Sequence, residues 1–333
     1  MQAVVLTKTA PVDESPLELR EIDPPTPGPG EVRVRVRACG VCRTDLHIIE
    51  GDLPAMKRPV VPGHQVVGVV DRLGENCERF AEGQRIGIAW LRSTDGTCQF
   101  CRTARENLCP ASRYTGYHCD GGYAEYAVVP EAFAYALPDG FDDATAAPLL
   151  CAGIIGYRAL ERAQVPPGGK LLLVGFGSSA HVTLQIALYR GHDVFVVTRS
   201  EGHMQTAREM GAAWAGADTA ELPAKMDSAV LFAPVGHLVP PVMSALERGG
   251  TLSIAGMHLT DIPPLQYQEH LFYDKQIRSV AANTREDGRR MLAEAARADV
   301  KPQVTPYRLE DANKALQDMK HSRIGGTGVL MID

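Results

Sequence analysis

Apolar residues change their spacing along this chain, and the change divides it. Over residues 31–37 the sequence alternates, with Val32, Val34 and Val36 separated by charged side chains, and a period of two predicts a half-buried strand. Residues 1–6, 65–70 and 123–129 read as further short strands set off by Gly and Pro, so residues 1–149 form a β-rich region. From residue 150 the texture becomes strand, turn and amphipathic helix in repetition. Strands fall at 170–174, 194–197, 229–232 and 251–255, with helices at 180–189, 204–210 and 239–246. Such alternation predicts a parallel sheet covered by helices on both faces. After residue 281 the texture mixes again. Thr284 and Asp287 predict a capping box opening a helix to about residue 298, residues 309–320 a second helix, and residues 328–332 a closing strand. The fold class is therefore α/β with a separate β-rich domain, residues 1–149 and 282–333 in one domain and 150–281 in the other.

A length of 333 residues exceeds what one core usually supports, in keeping with two domains. Hydrophobic residues make up 45%, yet no apolar run approaches the roughly 18 residues of a membrane span. Residues 1–6 lack the basic flank and long apolar run of a secretory signal, which points to the cytoplasm. The eight cysteines are too sparse for a disulfide scaffold, and all precede residue 152, which favours metal binding in a reducing compartment. A net charge of -6 with interspersed signs leaves no electrostatic footprint for nucleic acid.

The candidate chemistry begins at Cys39-Gly40-Val41-Cys42-Arg43-Thr44-Asp45-Leu46-His47, followed by Pro62-Gly63-His64. Thiolate, imidazole, hydroxyl and carboxylate meet in one short region, a mix suited to a metal that both binds and reacts. Zinc held by Cys and His with one open position is a Lewis acid toward oxygen. A C-x-x-C pair alone also fits a redox dithiol, half of a zinc ribbon, or one ligand beside a packed thiol. A second group, Cys98, Cys101 and Cys109, and the isolated Cys151 weigh toward metal. In the second region, Val174-Gly175-Phe176-Gly177-Ser178-Ser179-Ala180 matches G-x-G-x-x-G/A between a predicted strand and a predicted helix, the turn that receives a dinucleotide pyrophosphate. The next strand ends in Thr198-Arg199-Ser200, with no acid for the ribose hydroxyls. Arg199 suits a 2′-phosphate, so NADP(H) is expected over NAD(H), although a solvated surface arginine also fits.

With these motifs in order, together with Asp120-Gly121-Gly122-Tyr123-Ala124-Glu125-Tyr126, the chain resembles the zinc-dependent alcohol dehydrogenases of the medium-chain dehydrogenase/reductase (MDR) superfamily over essentially its whole length. The resemblance implies a GroES-like catalytic domain, a Rossmann cofactor domain with a doubly wound parallel sheet, and an active site in the cleft between them. It also implies that Cys42, His64 and Cys151 hold a catalytic zinc, with Asp45 behind His64 and Cys39 a packed non-ligand. Thr44 and His47 resemble the relay that carries the alcohol proton to solvent, and Arg43 a pyrophosphate contact. Thr44 equally fits a turn hydroxyl, Asp45 a helix cap and His47 a surface histidine. The implied reaction passes hydride between a carbinol carbon and the nicotinamide, interconverting alcohols with aldehydes or ketones.

Two positions depart from the family pattern. Gln65 stands where relatives carry glutamate, and a neutral amide cannot act as an anionic alternate ligand. Asp95 takes the first place in a lobe whose other members are Cys98, Cys101 and Cys109, so a structural zinc there would have one carboxylate and three thiolates. Trp90 and Leu53 fall where relatives line the alcohol pocket, which points to primary alcohols and aldehydes beyond ethanol; both also fit ordinary packing. Cys77, Cys119, His118, His181, His237, His258 and His270 match no ligand position. Relatives of this length imply a homodimer or homotetramer, with a small alcohol or aldehyde as the partner molecule. Competing readings are a zinc-free quinone or enoyl reductase on the same fold, and a non-catalytic zinc-binding module around residues 98–109.

Overall fold

The structure, a computed structural model, describes every residue except Ala55. One compact unit comprises Met1–Cys151, Ala282–Ala296 and Lys301–Asp333; the other comprises Ala152–Ala281 and Arg297–Val300.

In the first unit the alternating segment becomes the long strand Glu31–Gly40 of a seven-stranded sheet. Val32, Val34, Val36 and Ala38 are wholly buried, while Arg35 and Arg37 face solvent and Arg33 is half-buried against Asp71, Nη2 to Oδ2 at 2.8 Å. Gln65–Leu73 lies antiparallel beside this strand, with Gly40 opposite Gln65 and Cys39 opposite Val66. That register matters for chemistry: the chain leaving one strand toward Cys42 runs beside the chain entering the next from His64. The closing strand Thr327–Met331 pairs with the same end, Val329 opposite Gly40. A strand expected at 123–129 runs instead over Tyr126–Pro130, because the residues before it bond to other segments: the Tyr123 N–H goes to the Pro62 carbonyl and the Glu125 N–H to the Gln2 carbonyl. Helix Arg285–Arg297 opens with the expected reciprocal cap, Thr284 N–H to Asp287 Oδ2 at 2.8 Å and Asp287 N–H to Thr284 Oγ1 at 3.1 Å.

The second unit carries a six-stranded parallel sheet in the order Trp214–Gly216, Asp193–Val197, Lys170–Val174, Met226–Leu231, Leu246–Ile254, Gln276–Ser279. In chain order that is 3-2-1-4-5-6, the doubly wound arrangement whose direction reverses between Lys170–Val174 and Met226–Leu231, where such sheets bind ligands. Leu246, expected in a helix, begins a strand instead: the helix stops at Ala245, and a register irregularity between Met226 and Ser228 absorbs the Gly249-Gly250 pair. Helices Ala152–Ala163 and Ser178–Tyr189 pack so closely that a Cβ on Gly156 would sit 2.3 Å from Thr183 Oγ1, so only glycine fits that crossing. Among the described residues, no helix is long and apolar enough to cross a membrane.

His181, in helix Ser178–Tyr189, is 3% exposed, and neither ring nitrogen has a hydrogen-bond partner among the described residues. Its ring lies 4.4 Å from that of Phe176 and 6.3 Å from that of His203. Burial first, and then the neighbouring His203, pull its pKa down to about 4. A folded-state pKa below the unfolded value means that the stability is present above about pH 6.5 and is lost as pH falls toward 4. We expect acid to destabilise the second unit by on the order of 2–3 kcal/mol over that window, and His181→Met to remove most of this slope, measured by urea unfolding followed at Trp214. An unchanged pH slope in the variant would contradict the assignment.

Candidate metal centre and cofactor turn

Cys42 caps the helix Arg43–Glu50, and Asp45 in its first turn accepts the Cys42 N–H on Oδ2 at 2.8 Å. The other oxygen, Oδ1, lies 3.0 Å from His64 Nδ1, and both side chains are fully buried. Asp45 is therefore at once a helix cap and the support of the histidine. With Nδ1–H donated to the carboxylate, Nε2 is left as the lone-pair nitrogen, buried and without a hydrogen-bond partner among the described residues. Cys151 supplies the third donor at the C-terminal end of the turn Ala147–Leu150. The donor atoms of Cys42, His64 and Cys151 all lie within 4.8 Å of one another.

Two sulfurs bound to one tetrahedral zinc at about 2.3 Å lie about 3.8 Å apart, and the Cys42–Cys151 Sγ separation is 3.8 Å. A disulfide would need about 2.05 Å. The donor set, the sulfur spacing and the orphaned Nε2 together fit a zinc ion. Electrostatics agree. Burial pulls the His64 pKa down, but Asp45, by charge and hydrogen bond, and the Cys42 sulfur push it up to about 10. Cys42 is held well below the ordinary thiol range by its bond with Cys151, whose own pKa is driven well above that range by the same bond and by burial. Asp45 and the Cys42 sulfur thus favour positive charge at His64, carried by a proton on Nε2 where no metal is bound.

Around the trio, Thr44 is buried with Oγ1 3.6 Å from Cys42 Sγ. His47 is on the same helix and its Nδ1 meets Asp52 Oδ2 at 2.8 Å. Arg43 is exposed. Cys39 is wholly buried and lies outside the donor trio. Gln65 is also buried, its Oε1 without a hydrogen-bond partner among the described residues, and its side chain covers Gly40, where a Cβ would come within 2.9 Å of Nε2. Trp90 meets the His64 ring edge-on at 5.0 Å and stacks with Tyr114 at 4.7 Å and Tyr117 at 6.0 Å. Leu53 is half-buried against the same core. Trp90 was expected at the pocket, but its stacking partners Tyr114 and Tyr117, Asp52 and the phenol of Tyr123 that also reaches Asp45 were not singled out from the sequence; tyrosines in a β-rich region read as core, and only Asp52, five residues after His47, sits close enough in sequence to be noticed.

In the lobe, the donor atoms of Asp95, Cys98, Cys101 and Cys109 again lie within 4.8 Å of one another. Asp95 Oδ1 accepts the Thr97 and Cys98 N–H groups, each at 2.8 Å, which hold its pKa well below the usual carboxylate range and fix the side chain toward the thiols. At Cys101 the Thr94 hydroxyl pulls down, but burial and the Cys98, Asp95 and Cys109 side chains push the pKa up to about 11. Between Cys101 and Cys109, Glu106 anchors the lobe by accepting from the Arg285 N–H at 2.8 Å and from its guanidinium Nη2 at 2.6 Å, while Arg285 lies over the Phe133 ring at 4.5 Å.

In the second unit Gly175 takes φ +89° where a Cβ would meet Ala233 N at 2.9 Å, and Gly177 caps helix Ser178–Tyr189 with open space beside it. Ser178 and Ser179 open the helix, and Ala180 is wholly buried. The turn thus sets the N-terminus of helix Ser178–Tyr189 at the end of strand Lys170–Val174, the arrangement that receives an anion. Thr198 is buried, its N–H bonded to the Gly216 carbonyl at 3.0 Å, Arg199 is exposed, and Ser200 caps helix Glu201–Glu209 through the His203 N–H at 3.3 Å.

Comparison with known proteins places this geometry. The alcohol dehydrogenase GroES-like domain family matches residues 28–139. A probable alcohol dehydrogenase, AdhA, of Mycobacterium tuberculosis is 51% identical over 337 residues, covering 100% of this chain and 97% of that protein. Among solved structures, acetophenone reductase from Geotrichum candidum in complex with NAD superposes with a TM-score of 0.88 at 26% identity, covering 99% of this chain and 97% of that one. A cobalt- and zinc-bound thermostable alcohol dehydrogenase from Pyrobaculum aerophilum superposes with a TM-score of 0.89 at 25% identity, covering 100% and 99%. The chain belongs to the alcohol dehydrogenases of the medium-chain dehydrogenase/reductase superfamily, a family of oxidoreductases built from a GroES-like domain and a Rossmann domain.

Proposed function

We propose that this alcohol dehydrogenase is zinc-dependent, interconverts small alcohols with aldehydes or ketones, and prefers NADP(H) to NAD(H). The observation that carries the zinc assignment is the buried trio of Cys42, His64 and Cys151, with sulfurs 3.8 Å apart and an orphaned His64 Nε2. The cobalt- and zinc-bound relative from Pyrobaculum aerophilum supports it. A zinc-free reductase would have no use for a fully buried Asp45–His64 pair aimed at two thiols.

Cys42 and Cys151 would hold the ion as thiolates and His64 through Nε2, while Asp45 keeps the opposite ring nitrogen protonated. A zinc ion held by these three residues would supply Lewis acidity toward an alcohol or carbonyl oxygen. Thr44, buried beside Cys42 Sγ, would accept the hydroxyl proton of the alcohol as it passes its own proton on toward His47, whose ring bonds to the half-exposed Asp52. A nicotinamide cofactor bound at the Gly175 turn would supply hydride acceptance from the carbinol carbon and, in the reverse direction, hydride for the carbonyl. The Trp90 ring beside His64 walls the substrate with a flat apolar surface, with Leu53 completing it, which suits alcohols larger than ethanol.

Asp95, Cys98, Cys101 and Cys109, whose donor atoms cluster, would hold a second, structural zinc through one carboxylate and three thiolates. Elemental analysis of the purified chain should return about two zinc ions, with one lost in Cys42→Ser and the other in Cys101→Ser; Cys42→Ser should also lower kcat/KM by about a thousandfold or more. One zinc per chain, unchanged in Cys101→Ser, would remove the lobe from the account.

The NADP(H) preference rests on the Thr198-Arg199-Ser200 turn, which offers an exposed guanidinium and no carboxylate where ribose hydroxyls would be read. The NAD complex of the Geotrichum candidum relative supports a nicotinamide cofactor without deciding between the two forms. Arg199→Asp should move the ratio of catalytic efficiencies toward NAD(H) by about ten- to hundredfold. A strong NAD(H) preference in the parent enzyme, unmoved by Arg199→Asp, would overturn the assignment.

A further inference from the structure

The segment Asp120-Gly121-Gly122-Tyr123 straps the residues that lead into His64. Asp120 Oδ1 accepts the Val61 N–H at 2.9 Å, and the Gly121 N–H donates to the Val61 carbonyl at 2.7 Å. The Gly122 N–H donates to the Gly63 carbonyl at 2.9 Å and the Tyr123 N–H to the Pro62 carbonyl at 3.0 Å. The approach leaves no room for side chains: a Cβ on Gly121 would lie 2.0 Å from the Gly63 carbonyl oxygen, and one on Gly63, whose φ is +94°, would lie 2.3 Å from the Tyr123 ring. Tyr123 is therefore wholly buried with its ring laid on the Gly63 backbone. At the far end of that ring the phenol O–H donates to Asp45 Oδ2 at 3.3 Å. The same oxygen accepts the Cys42 N–H at 2.8 Å, and Oδ1 lies 3.0 Å from His64 Nδ1.

We propose that Tyr123 is a positioning residue of the metal centre, acting through Asp45 to hold the His64 ring in the orientation that binds zinc. The inference rests on the metal reading of Cys42, His64 and Cys151. A carboxylate wholly removed from water is oriented only by the donors around it, and its terminal torsion is otherwise broad. Three donors from three separate segments surround Asp45: the Cys42 backbone, the His64 ring and the Tyr123 phenol. Because the ring also rests on the Gly63 backbone, the phenol ties the orientation of the carboxylate to the position of the strap that delivers His64. Tyr123→Phe removes this tie and keeps the ring, the packing and all four backbone and Asp120 bonds of the strap. Loss of such an outer partner typically weakens metal binding by about ten- to hundredfold. The 3.3 Å bond is long for a hydroxyl on a carboxylate, which places the expected effect near the lower end of that range.

The test uses the zinc-loaded enzyme, a molar excess of EDTA and timed N-ethylmaleimide labelling read cysteine by cysteine by peptide mass spectrometry. Tyr135→Phe is the control, since it deletes another buried phenol of the same unit, whose oxygen accepts from Asn283 Nδ2 at 3.5 Å. After EDTA, Tyr123→Phe should expose Cys42 and Cys151 about tenfold faster than the parent enzyme, with Cys98, Cys101 and Cys109 unchanged and Tyr135→Phe indistinguishable from the parent. Equal rates at Cys42 and Cys151 in Tyr123→Phe and parent, with both protected before EDTA, would overturn the role of Tyr123 alone. Faster labelling spread equally over all five cysteines would also overturn it, as general loosening. If Cys42 and Cys151 of the parent react as fast without EDTA as with it, the metal reading falls and this inference with it.

Discussion

Asp45 and His64 face each other across 3.0 Å with neither side chain exposed to water, and the geometry of the candidate metal centre depends on that contact. An unpaired carboxylate at that depth would be strongly disfavoured, and a lone imidazole would be neutral and free to turn. Together they fix which nitrogen carries the proton and which faces the thiols. Because Asp45 also caps the helix that starts after Cys42, one carboxylate sets both a sulfur donor and a nitrogen donor in place. The sheet register that sets Gly40 opposite Gln65 brings these two segments together before any metal is considered.

The strands and helices were largely legible because burial imposes its period on the sequence. Val32, Val34 and Val36 alternate because one face of their strand is core, and Thr284 with Asp287 announces a helix start through bonds local to four residues. Where the reading failed, a tertiary partner had taken over the backbone. Tyr123 sits in an apolar run but gives its N–H to Pro62 rather than to a strand neighbour, and Leu246 follows a helix directly into a strand whose Gly249-Gly250 pair hides its continuity.

The site was legible in a different way. No period brings Cys42, His64 and Cys151 together, since Cys42 and Cys151 are 109 residues apart in the chain, and the set came from the resemblance of the whole motif series. What supports those donors was hidden. Tyr123, and the Tyr114 and Tyr117 rings that stack on Trp90, look like core aromatics until their polar ends and ring contacts are seen. Glu106 and Arg285, 179 residues apart, look like surface charges until their bidentate contact is found beneath the Asp95 lobe.

The central claim, that the Asp45–His64 pair and the two thiols form a cavity for one zinc ion, is tested most directly by anomalous scattering from crystals of the zinc-loaded enzyme recorded on both sides of the zinc absorption edge. The account predicts a peak about 2.0–2.3 Å from each of Cys42 Sγ, His64 Nε2 and Cys151 Sγ. Continuous density joining the two sulfurs at about 2.05 Å, with no anomalous peak between them and His64, would contradict it.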